Sequence, residues 1–109
     1  GAILGGAALL RARIFFDARD EFTVLMTGDG FVSEMLEIPL GATVAFVNND
    51  SRPRWPASNL HPTHGIYPEF DPQKEIAPGE TWSFEFERAG PWRYHDHLYP
   101  DIRGTIIVR

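Results

Sequence analysis

From Thr81 to Glu87 the chain alternates strictly. Trp82, Phe84 and Phe86 fall on one side of an extended backbone, and Thr81, Ser83, Glu85 and Glu87 on the other. Helical periodicity is nearly absent elsewhere. Phe22 to Met26 is a β-rich run that ends at Thr27-Gly28-Asp29-Gly30, which is strong turn chemistry. Met35 to Ile38 alternates weakly before Pro39-Leu40-Gly41. Thr43 to Val47 is apolar and β-branched, closed by Asn48-Asn49-Asp50-Ser51. Trp92 to His95 follows the turn at Gly90-Pro91, and Thr105 to Val108 is the last run. Seven or so short strands at this spacing predict an all-β, antiparallel Greek-key β-sandwich.

At 109 residues the chain is one domain, and 43% apolar content makes it globular. Residues 22–109 are the expected domain. Residues 1–21 are an N-terminal segment, read either as an extra strand or as the remnant of a signal or membrane anchor. Gly1 to Leu10 is apolar and rich in small residues, Arg11 and Arg13 follow, and the run is too short to span a bilayer. Localisation accordingly leans extracytoplasmic, either periplasmic or secreted. The net charge of -5 and the lack of a basic run argue against nucleic acid as a partner.

The chain has four histidines and no cysteine. The histidines form two clusters, His61-Pro62-Thr63-His64 and His95-Asp96-His97. Neutral imidazole is the commonest protein ligand for borderline metals, and the missing cysteine removes every thiolate site. Pro62 fixes its own φ and stiffens the spacer between His61 and His64. The first cluster sits in the proline-rich stretch 52–79, expected to be an ordered excursion because Trp55, Leu60, Ile66, Tyr67 and Phe70 give it something to pack. In the second cluster, Trp92, Tyr94 and Asp96 share the inward phase, and His95 and His97 share the other. An inward carboxylate needs a cation, a metal or several donors. The competing reading of each cluster is a pair of solvent-facing histidines. Glu69, Asp71, Asp96 and Asp101 are nearby oxygen donors, either as ligands or as partners that fix imidazole tautomers. No nucleophile elbow surrounds Ser33, Ser51, Ser58 or Ser83, and neither a phosphate loop nor H-E-x-x-H occurs.

Three further segments belong together. They are Gly41-Ala42-Thr43-Val44-Ala45-Phe46-Val47-Asn48-Asn49-Asp50, then Ala77-Pro78-Gly79-Glu80, then Gly90-Pro91-Trp92-Arg93-Tyr94 leading to Gly104-Thr105-Ile106-Ile107-Val108. Together they resemble the cupredoxins, the small copper-protein β-sandwiches, and the resemblance spans about Phe22 to Arg109. It implies a loop before Gly104 that supplies Cys, His and Met to a blue copper, but those positions here hold Asp96, Tyr99 and Ile102. His95-Asp96-His97 is similar to the His-Cys-His motif of multicopper oxidases, and His61-Pro62-Thr63-His64 to their His-Pro-x-His motif. By that likeness His64, His95 and His97 correspond to cluster or type 2 copper ligands, and His61 to the remnant of a type 1 ligand.

The expectation is therefore a cupredoxin-like protein that binds one metal through His61, His64, His95 and His97. Copper is the first choice and zinc the alternative, and the role is metal binding, delivery or redox with a partner protein. The balance favours a binding protein over an enzyme. Two alternatives stand beside it: a metal-free interaction module, and a homo-oligomeric oxidoreductase with copper at its subunit interfaces. Asp96 joins the histidines only if the strand breaks near His95, where the turn Leu98-Tyr99-Pro100 follows.

Overall fold

The computed structural model describes residues 20–60 and 65–109. The expectations for residues 1–19, and the two histidines His61 and His64, lie outside them. Eight strands run through the described residues: β1 (Glu21–Thr27), β2 (Gly30–Val32), β3 (Met35–Ile38), β4 (Thr43–Asn48), β5 (Pro56–Ser58), β6 (Thr81–Glu85), β7 (Gly90–Asp96) and β8 (Arg103–Val108). They form two four-stranded sheets, ordered β2-β1-β4-β6 and β3-β8-β7-β5. The expected sandwich is present, and both sheets are mixed. β1 pairs with β4 and β3 with β8 in parallel, while the remaining pairs are antiparallel. The chain passes from one sheet to the other between these partners, so each returns in the direction of the strand it joins.

Alternation decides which face is buried. Val44, Phe46 and Asn48 of β4 point inward, as do Val24 and Met26 of β1. Phe84 and Phe86 follow the phase set by the sequence and meet Tyr67 and Phe70 from the long excursion. That excursion is ordered where it is described. Tyr67, Phe70 and Ile76 are buried in the core, and Arg54 and Ile76 exchange two backbone hydrogen bonds at 3.0 and 2.7 Å. Two turns of one design feed β4 and β6. In Pro39-Leu40-Gly41-Ala42 and Ala77-Pro78-Gly79-Glu80 the fourth N–H bonds the first carbonyl, and the glycine sits at φ 90° and 82°. That backbone region favours glycine.

Candidate metal centre

One end of the sandwich is organised by Asp96, the last residue of β7. It points inward, as its phase requires, and is fully buried. Both carboxylate oxygens are taken up. Oδ2 accepts from Arg54 Nε at 2.7 Å and from the Trp55 N–H at 3.0 Å. Oδ1 accepts from the Leu98 N–H at 2.9 Å and the Tyr99 N–H at 3.2 Å. A carboxylate offers about four lone-pair positions, and four donors meet them. The last two contacts explain why Asp suits the start of this loop: its side chain ties down the backbone two and three residues on. The Ile102 N–H to Tyr99 O and Asp96 N–H to Ile102 O bonds close the loop behind it.

Arg54 is the partner that the inward phase of Asp96 required. Its side chain is fully buried. Nη1 donates to Thr27 O at 2.6 Å and lies 3.5 Å from Asp50 Oδ2, and the guanidinium carbon stands 5.4 Å from the centre of the Phe31 ring. Nη2 has no hydrogen-bond partner among the described residues. Arg52 extends the network outward, donating from Nε to Asp50 Oδ2 at 2.8 Å and lying over the Tyr99 ring at 4.2 Å. Burial alone would raise the Asp50 pKa. The hydrogen bonds from Arg52 and the Ser51 N–H, with the charges of Arg52 and Arg54, outweigh it and hold the carboxyl below its ordinary value.

The histidines of the second cluster part company with Asp96. The strand continues through Asp96 rather than breaking near His95, so Asp96 stays on the core side and His95 on the outer face. His95 is nonetheless buried, and its Nδ1 lies 2.8 Å from Asn59 Oδ1. An amide oxygen only accepts, so in this contact the Nδ1–H donates. His97 packs its ring on Trp55 with 4.6 Å between centroids, and its N–H donates to Trp55 O at 2.7 Å. Trp55 is held in turn by its indole N–H on Asp71 Oδ1 at 2.8 Å. Asp71 thus serves at one remove from His97. Among the described residues no three His, Asp or Glu side chains converge on one point.

Sequence reasoning placed Asp96 and His95 but missed Arg54 and Asn59. The inward phase of Asp96 was the signal that a cation was needed. Nothing local says which of ten cations answers from 42 positions away.

A family model described as a cupredoxin-like domain matches residues 2–108. The chain belongs to that family. No curated protein matches this cupredoxin-like sequence. Among solved structures it is similar to a purple cupredoxin from Nitrosopumilus maritimus, at 22% identity and TM-score 0.66, over 81% of this chain and 99% of that one. It is also similar to a reduced Cu(I) form of an amicyanin variant, at 20% identity and TM-score 0.71, over 86% and 90%. The third is a Cu-containing nitrite reductase from Thermus scotoductus, at 26% identity and TM-score 0.67 over 83% of this chain but 22% of that one.

A blue copper does not fit this cupredoxin-like chain. The position that resembles the family's cysteine is Asp96, whose oxygens are filled by Arg54 and three backbone N–H groups. The Tyr99 ring lies under the Arg52 guanidinium, and Ile102 offers no donor beyond its backbone. No thiolate exists to replace them.

Proposed function

We propose that this cupredoxin-like protein binds copper outside the cytoplasm at a histidine site of the non-blue, type 2 kind, built from His61, His64, His95 and His97. It serves in copper binding, delivery or redox exchange with a partner protein. The observation that carries this reading is the buried His95–Asn59 pair. A carboxamide on Nδ1 holds the orientation of the ring, which is what an imidazole ligand needs. The backbone of Asn59 is held as well: the Ile66 N–H donates to Asn59 O at 3.1 Å. Imidazole sites favour Cu(II) over other divalent ions, and zinc is the competing occupant.

A Cu(II) titration of chelator-stripped protein, followed by low-temperature EPR, tests it. The expected result is one tight equivalent with a nitrogen-rich type 2 spectrum, lost in His95→Ala/His97→Ala. Binding indifferent to that double variant sinks the proposal.

A second reading is a metal-free interaction module. Its support is Asp96, whose partners are complete without any ion. It expects no stoichiometric metal and unchanged behaviour of His95→Ala. An interface-copper oxidoreductase would instead show an oligomer that loses metal when diluted.

A further inference from the structure

Asp96 stands at the position that, by the resemblance to cupredoxins, corresponds to the family's cysteine ligand, and the Arg54 side chain lies against it. Arg54 reaches it from the segment before β5, with Nε 2.7 Å from Asp96 Oδ2 and both side chains fully buried. Its other contacts are equally fixed: Thr27 O at the end of β1, and Asp50 after β4. We propose that Arg54 is a resident cation that replaces the metal ion of the fold, so that this interior position is permanently filled, excludes metals and is redox-silent. Asp96 is then not a metal ligand, and any metal the protein handles binds elsewhere.

Two features carry this. The charge is balanced locally, because Arg54 faces Asp96 and the Asp50 behind it is paired with Arg52. The carboxylate has no lone pair left for an ion. The proposal does not depend on the histidine site, and its test leaves all four histidines in place.

The experiment has two arms. In the first, Asp96→Cys and Arg54→His/Asp96→Cys are titrated with Cu(II) and Co(II) and followed by visible absorption. Asp96→Cys alone is expected to stay colourless, because Arg54 still fills the position. The double variant is expected to gain one equivalent of metal–thiolate absorption that a chelator bleaches. Colour in the single variant, or none in either, overturns the proposal.

In the second arm, thermal midpoints are compared without metal. Arg54→Met strands a buried carboxylate and is expected to lower the midpoint by more than about ten degrees. Arg54→Met/Asp96→Asn removes the stranded charge while keeping an acceptor for the Leu98 and Tyr99 N–H groups, and is expected to regain part of that loss. A double variant no more stable than the single one overturns the assignment of Arg54 as the cation of this position.

Discussion

Tyr94 buries a hydroxyl that has no hydrogen-bond partner among the described residues. Its ring is well used, packing on Phe31 at 4.6 Å and on Phe70 at 5.2 Å between centroids. Burial pushes the phenol pKa up, against the opposing charge of Arg54, so the hydroxyl stays neutral. A buried hydroxyl without a partner costs about 1–3 kcal/mol relative to a satisfied one. Tyr94→Phe is therefore expected to be neutral or to stabilise by up to about 1 kcal/mol, measured by urea denaturation. A loss above that size would show that the hydroxyl does bond. Asp96 is the opposite case, since each of its oxygens is satisfied. Its inward direction was legible from the phase of Trp92 and Tyr94 alone. The identity of Arg54 was not, because an ion pair across 42 positions leaves no local pattern.

The strands that alternate or carry β-branched runs were legible as elements. β3 begins and ends where Met35 to Ile38 predicts, and β4 and β6 differ from expectation only at their ends. β2 and β5 were not legible. Each has three residues, and Pro56-Ala57-Ser58 offers neither β-branching nor alternation. β5 exists because β7 supplies a ladder partner, pairing Ala57 with His95 and Ser58 with Tyr94. Tertiary pairing here overrides weak propensity. The β7–β8 pair has a stricter requirement. Tyr94 lies directly over Gly104, its partner in the register, and a Cβ on Gly104 would stand 2.7 Å from the Tyr94 ring and hydroxyl. Gly104→Ala is expected to destabilise the protein by about 1–3 kcal/mol through this overlap. Thermal denaturation would show it, with partial relief when Tyr94→Leu is added. An unchanged midpoint would mean that the strands shift to admit the methyl.

Across the whole molecule, Arg54 ties the two sheets at one end. It holds Thr27 O of β1 in one sheet and Asp96 of β7 in the other, with Asp50 from the loop after β4 alongside. This closure has a pH dependence through Asp50. Its folded pKa lies below the ordinary 3.8, so its contribution to stability is complete above that value. As pH falls through the lower, folded value the contribution is lost. Denaturation midpoints of the native chain and Asp50→Asn are expected to differ at pH 7 and to converge only as the pH falls well below 3.8. A difference that persists into strong acid would assign the effect to something other than the Asp50 charge. The pairing of distant sequence segments that builds this end is the part that composition and periodicity do not encode.

The Arg54–Asp96 pair has one more consequence, which concerns supply. A guanidinium carried by the chain arrives with translation, in a fixed ratio of one per molecule. A chelator cannot strip it, and no wrong metal can compete for its place during folding. A protein built this way is exempt from mismetallation at its centre, and it finishes folding on a schedule independent of when copper reaches its compartment.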